Sequence, residues 1–118
     1  MVDRRALGRW GEDVAVRHLE ASGLVVLDRN WRCREGELDV VARDGTTLAF
    51  VEVKTRSGRG YGEPAEAVSR VKARRIHVLA ARWLGERRPV GSWDLRFDVV
   101  SVVRGGPEPE VVHLRGAF

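Results

Sequence analysis

What the chain has little of narrows its class first. It holds one cysteine, Cys33, in 118 residues, which excludes an intramolecular disulfide and any metal cluster built from several thiolates of one chain. A lone thiol suits a reducing compartment, so the expected location is cytoplasmic. The opening residues Met-Val-Asp-Arg-Arg-Ala-Leu-Gly lack the apolar core of a signal peptide. No run approaches the ~18 apolar residues of a membrane span, and no membrane partner is expected. Lysine is scarce: Lys54 and Lys72 are the only two among 21 basic residues. The rest are arginines, whose planar fork favours bidentate phosphate contacts. Against 17 acidic residues they leave a formal charge of +4, which suits nucleic acid as a partner and equally an ordinary solvated surface. There is no internal repeat and no low-complexity segment. At this length a single domain over residues 1–118 is expected, large enough to bury a real core.

The most informative stretch runs from Gly36 to Arg56. Asp44-Gly45 is a turn signal between Leu38-Val-Val-Ala and Leu48-Ala-Phe-Val, the pattern of a β-hairpin. Strand alternation places Leu38, Val40 and Ala42 on one face and Glu37, Asp39 and Val41 on the other. In the second strand Glu52 and Lys54 project together, opposite to Val51 and Val53. With a loop of about four residues Asp39 lies directly across from Glu52, and a shorter loop shifts the pairing diagonally, so the two carboxylates converge either way. Paired carboxylates in a partly buried site require a cation or a shared proton. Magnesium suits few carboxylate ligands plus phosphate, with manganese as the alternative, and Lys54 is placed to orient water or to offset charge developing at phosphorus. The same residues also suit the polar face of a half-buried hairpin carrying ordinary cross-strand ion pairs.

Around this hairpin, apolar residues Leu7, Val14, Ala15 and Leu19 recur at helical spacing from about Arg5 to Ser22, with Gly23 as the stop. Glu12 falls on the border of that face, leaning toward the sheet, and His18 reads as a core histidine. Leu24 to Leu27 reads as a short strand leading into a segment with Arg32, Arg34 and Trp31. Basic residues interleaved with an aromatic suit a nucleic-acid backbone and its bases, although Trp31 equally suits packing on the first helix. The glycine-rich stretch from Ser57 to Pro64 reads as a loop beside the expected metal site, where Arg56 just before it and Arg59 and Tyr61 within it could close over a bound strand; a plain linker is the alternative. A second helix is expected from Pro64 to about Gly85, with Val68, Val71, Leu79 and Trp83 inward. Lys72 and Arg75 interrupt its stripe, and Lys72 must either snorkel or meet an anion near the sheet. Arg70 and Arg74 face outward. Strands from Trp93 to Val103 and from Val111 to Leu114, separated by Gly105-Gly-Pro-Glu-Pro109, complete the order αβββαββ. This is an α/β sandwich with a mixed central sheet flanked by helices.

Asp39, followed after twelve intervening residues by Glu52-Val53-Lys54 and preceded by a helical Glu12, resembles the PD-(D/E)xK nuclease motif of the restriction-endonuclease-like fold, without the proline that the motif's name places before the first aspartate. Gly11-Glu12, Asn30-Trp31-Arg32, Gly36-Glu37-Leu38-Asp39, Phe50 to Arg56, Glu66-Ala67-Val68 and Arg96 to Val100 are together similar to the bacterial YraN family of predicted nucleases. The resemblance implies that Asp39, Glu52 and the Val53 carbonyl ligate metal. It also implies that Lys54 is the catalytic lysine and that Glu12 is an auxiliary acid, as in archaeal Holliday-junction resolvases. The expected function is a magnesium-dependent endonuclease acting on DNA, including branched or structured DNA, working as a homodimer or with a larger DNA-processing partner. The expected nucleic-acid contacts are Arg32, Arg34, Arg56, Arg59, Tyr61, Lys72 and Arg75. The alternatives are a non-catalytic nucleic-acid-binding module and an interaction subunit of a DNA-processing assembly.

Overall fold

Five strands and two helices position the hairpin. The computed structural model describes residues 3–58 and 68–118. Its elements are α1 (Arg4–Ala21), β1 (Val25–Cys33), β2 (Gly36–Asp44), β3 (Thr47–Arg56), α2 (Arg70–Arg87), β4 (Asp94–Val103) and β5 (Glu110–Leu114). The order αβββαββ and the mixed α/β sandwich are as the sequence implies, and they are consistent with a restriction-endonuclease-like fold. The strands line up as β1-β2-β3-β4-β5, antiparallel except for the parallel pair β3 and β4. That parallel pair needs a crossover connection, which α2 provides.

Each helix covers one face of the sheet. In α1 the Asp3 side chain accepts from the Arg5 and Ala6 backbone N–H groups, an N-cap that satisfies donors with no partner inside the helix. At the other end Gly23 takes φ 95°, which turns the chain sharply into β1. Val14, Ala15 and Leu19 of α1 pack against Val40, Ala42, Ala49, Val51 and Val53. On the opposite face Ile76, Leu79, Ala80 and Trp83 of α2 pack against Leu38, Val41, Leu48 and Phe50. Among the described residues no helix is long and apolar enough to cross a membrane.

The β2–β3 hairpin closes through Gly45 and Thr46, between the paired residues Asp44 and Thr47. Its loop is therefore two residues long, not about four, and the diagonal shift expected of a shorter loop does not occur, because a loop shortened by one residue on each side leaves every pair unchanged. The ladder pairs Val40 with Val51, so the next step places Asp39 level with Glu52.

Several expectations need correction. The first strand runs on through Cys33, because residues 28–33 pair with β2. Trp31 packs with the α2 cluster, not against α1, and its Nε1 donates to Glu86 of α2 at 3.1 Å. The second helix begins at Arg70, where the Ser69 hydroxyl accepts from the Lys72 N–H. Pro64 lies outside the described residues, and Val68 precedes the helix. The inward stripe is Ile76, Leu79, Ala80 and Trp83, while Val71 is 68% exposed. With the helix phased by Ile76, Val71 rotates outward and Lys72, one turn earlier, inherits the inward position. His18 is half-buried and enters no core cluster.

Strict alternation also fails at one level of the sheet. Leu38 packs on the α2 face, but Val40, two residues later, packs on the α1 face. The same reversal occurs on β1, where Arg29 pairs with Asp13 of α1 while Trp31 belongs to the α2 cluster. Between them Asn30 sits opposite Asp39 with φ 51°, a left-handed conformation that asparagine tolerates better than most residues. Both strands thus exchange faces together, which carries Glu37 and Arg32 to the α1 side and leaves Asp39 at the step.

On β4, Asp98 forms a closed polar pin with no exposure. It accepts from Arg96, from Gly116 N at 3.0 Å and from His113 Nε2 at 2.8 Å, so the Nε2-protonated tautomer of His113 is the consistent one. Burial alone pushes its carboxyl up, and the His113 and Arg96 contacts more than offset this and hold it below the ordinary value. Arg96 reaches on to Asp44, tying β4 to the hairpin tip and to the C-terminal turn.

Candidate active site

Asp39 stands where β2 parts from β3. Its Oδ2 accepts from the Val53 N–H at 2.9 Å, so a carboxylate takes the place of a ladder carbonyl. Glu52, level with it on β3, is buried to 8% exposure and lies on the α2 face. A carboxylate taken out of water needs a partner, and the Lys72 ammonium of α2 meets Glu52 Oε1 at 2.7 Å. The anion that Lys72 requires is therefore Glu52. Lys54, two residues further along β3, lies within hydrogen-bonding reach of Lys72. Burial, with the neighbouring Lys72 charge, pushes the Lys54 amine below its ordinary value.

From the other face α1 brings Glu12. The helix approaches the sheet closely because Gly11 has no side chain: a Cβ there would lie 1.9 Å from the Thr55 hydroxyl of β3. Glu12 is hydrogen-bonded by the Asn30 side chain, and its carboxyl is pushed up by burial and by the charge of Glu37. Asp39 feels both sides. Burial first, then the Glu52 charge, push its carboxyl up to about 7, against the opposing Val53 N–H bond. Glu12, Glu37 and Asp39 can each present one oxygen so that all three lie within 4.8 Å of one another.

The structure therefore gathers Glu12, Asp39, Glu52, Val53 and Lys54 at one end of β2 and β3, and Lys72 joins them. Arg32 stands at the margin, with its Nε donating to Glu37 at 2.8 Å. Arg56 lies beside the first turns of α1, lining a cleft with Arg4 and Gly8. Arg34 is elsewhere, in a cleft with Glu35, Arg82 and Glu86. Arg75 is exposed, its side chain reaching the outside of Gly36 instead of the acids. Arg59 and Tyr61 lie outside the described residues. Two contributors carried no role in the sequence reading: Glu37, assigned by alternation to a face it does not occupy, and Asn30, whose only local signal is an asparagine's tolerance of positive φ within a strand.

Three carboxylates gather here with a fourth across the sheet, one of them pushed up to about 7, while Lys72 pairs with Glu52 and Arg32 with Glu37. Hard oxygen donors at this density match a divalent cation of the magnesium or manganese type. The Lys72 ammonium already holds a cation's place against Glu52.

The chain matches the model of a family described as uncharacterised protein family UPF0102 over residues 11–102. A UPF0102 protein of Frankia casuarinae is 62% identical over 114 residues, covering 96% of each chain. One from Rhodococcus opacus is 52% identical over 120 residues and covers both chains fully. One from Acidothermus cellulolyticus is 49% identical over 125 residues, covering 98% of this chain and 95% of its own. With one relative after another matched from end to end and the family model spanning most of its length, this chain belongs to the UPF0102 family.

Proposed function

We propose that the protein is a metal-dependent endonuclease that hydrolyses phosphodiester bonds in DNA, with structured or branched DNA as the favoured substrate, and that it belongs to the PD-(D/E)xK nucleases its motif resembles. The observation that carries this reading is the convergence of Asp39 and Glu52 on paired strands, with Lys54 two residues beyond and Glu12 delivered from α1. Asp39 and Glu52, with the Val53 carbonyl, would hold the cation, and Glu12 and Glu37 lie close enough to Asp39 to share in that role. When bound, magnesium or manganese supplies Lewis-acid polarisation of a phosphoryl oxygen and a more acidic water.

The chain's own groups do the rest. Asn30 fixes the Glu12 carboxylate toward Asp39. The Val53 N–H orients the Asp39 carboxylate, leaving its other oxygen free to ligate or to accept a proton. Lys72 compensates Glu52, and burial together with the Lys72 charge lowers the proton affinity of Lys54, so that the Lys54 amine is the group best suited to hold or release a proton beside a phosphate. Homodimerisation, or a larger DNA-processing partner, would supply the surface that so small a domain lacks.

Cleavage of labelled linear, flapped, forked and four-way-junction DNA with magnesium or manganese tests the reading. Wild-type protein should cut at least one substrate, and Asp39→Ala and Lys54→Ala, purified identically, should not. Cutting that survives both substitutions would refute the site. A second reading, a nucleic-acid-binding module without turnover, draws on the Glu52–Lys72 pair, which leaves that acid neutralised without metal. Binding of the same DNA with no cutting under any metal would favour it.

A further inference from the structure

Beside the acids, α1 and β1 enclose a groove of about 750 Å³, lined by Arg4, Arg5 and Arg9 of α1 and by Arg32 of β1. Glu12, Asn30 and Glu37 line the same groove, so it opens onto the candidate active site. A second cleft of about 420 Å³, lined by Val53, Thr55 and Arg56 of β3, shares Arg4 and Gly8 with the first. The two therefore flank the first turns of α1, with Arg4 and Gly8 between them.

Arg4, Arg5 and Arg9 are exposed, and among the described residues their guanidinium groups enter no ion pair, whereas Arg29, Arg82, Arg87 and Arg96 each meet a carboxylate. Their placement is also locally unfavourable. The N-terminal turn of a helix is its positive end and ordinarily attracts acidic residues, but at α1 only the Asp3 N-cap supplies one, and the first turn itself carries two arginines and no acid. Residues that break a local rule without a structural gain point to a ligand that supplies it. Here the missing component is a chain of negative charge lying along the groove.

We infer that these adjacent clefts together form the track for the phosphodiester backbone of a nucleic-acid strand, with Arg4, Arg5 and Arg9 gripping phosphates on one side of the acidic centre and Arg56 on the other. The inference rests on the proposed nuclease reading for its choice of ligand. Gly8, at the junction of the two clefts, has nothing within 4 Å of where a Cβ would stand, so the path is open there. A larger side chain at this position would block the track without disturbing any packing.

The test is fluorescence anisotropy with labelled single-stranded DNA, single-stranded RNA and duplex DNA in EDTA, between 50 and 200 mM salt, in order-of-magnitude terms set by counterion release. The triple variant R4Q/R5Q/R9Q should bind about tenfold more weakly or worse, and its log–log salt slope should be shallower by roughly 2. The control triple R17Q/R43Q/R88Q, which removes equal charge from other exposed positions, should stay within about twofold of wild type. Gly8→Leu should weaken binding at unchanged charge, while Gly8→Ala should not. The three probes show whether the backbone bound is DNA or RNA, single or paired. Absence of binding by wild type, equal weakening by both triples, or an unaffected groove triple would overturn the inference. Groove-dependent binding with no metal-dependent cutting would sink the nuclease reading and leave the track standing. Asp39-dependent cutting with an unaffected groove triple would do the reverse.

Discussion

Replacing Asp39 by asparagine is expected to stabilise the metal-free protein above neutral pH while removing the proposed chemistry. The Asp39 carboxyl has an ordinary value of 3.8 and is pushed up to about 7 in the fold, first by burial and then by Glu52. Between those values the unfolded chain has released its proton and the folded chain retains it. Stability therefore falls as pH rises through this window, and the full difference corresponds to roughly 4 kcal/mol. Some of that belongs to the coupled charges of Glu52 and Lys72. Asparagine keeps the oxygen that accepts from Val53 N–H and discards the charge. The expected gain at pH 8 is roughly 1–3 kcal/mol, or about 4–12 °C in melting temperature for a domain of this size. At pH 4, near the unfolded value, wild type and variant should melt together. Circular dichroism melts in EDTA at the two pH values read the effect directly. Adding manganese should then raise wild type and leave Asp39→Asn unmoved. A variant no more stable than wild type at pH 8, or more stable by the same amount at both pH values, would refute this description of the site.

Three further outcomes follow from the same contacts. Lys72→Met removes the ammonium that competes for Glu52, so calorimetry should show tighter manganese binding, by about tenfold, alongside a metal-free protein weakened by roughly 1–3 kcal/mol from the buried, unpaired carboxylate. Gly11→Ala forces a Cβ into Thr55; despite alanine's better helix propensity it should cost roughly 1–3 kcal/mol in denaturant unfolding, and adding Thr55→Gly should recover part of the loss. Asp98→Ala leaves Arg96 with Asp44 alone and removes the Asp98 partner of His113 and of the Gly116 N–H, an expected loss of roughly 2–4 kcal/mol, and unfolding at a far lower denaturant midpoint would show it.

The hairpin was legible because a turn dipeptide between two β-rich runs fixes register, and the register carries Asp39 to Glu52 whether the loop has two residues or four. Both helices were legible from periodicity, though the phase of α2 was not: Val68 and Val71 look as apolar as Ile76, and only the Ser69 cap and the packing of Ile76 settle which side turns inward. The face exchange at Asn30 and Asp39 was hidden, because a paired irregularity in two neighbouring strands leaves no mark on either sequence beyond one asparagine. That exchange conceals Glu37. It also explains why Trp31 reads as a partner for α1 when it packs on α2. The Asp98 pin depends on a contact between β4, β5 and the C-terminal turn, which no local pattern encodes.

The most direct test of the central claim is a metal jump: labelled junction DNA pre-bound in EDTA, then mixed with excess manganese, and followed for cleavage by wild type and by Asp39→Asn. The account predicts no product before the jump, product with wild type after it, and none with Asp39→Asn at equal occupancy. Product forming in EDTA, or at the same rate with Asp39→Asn, would contradict it.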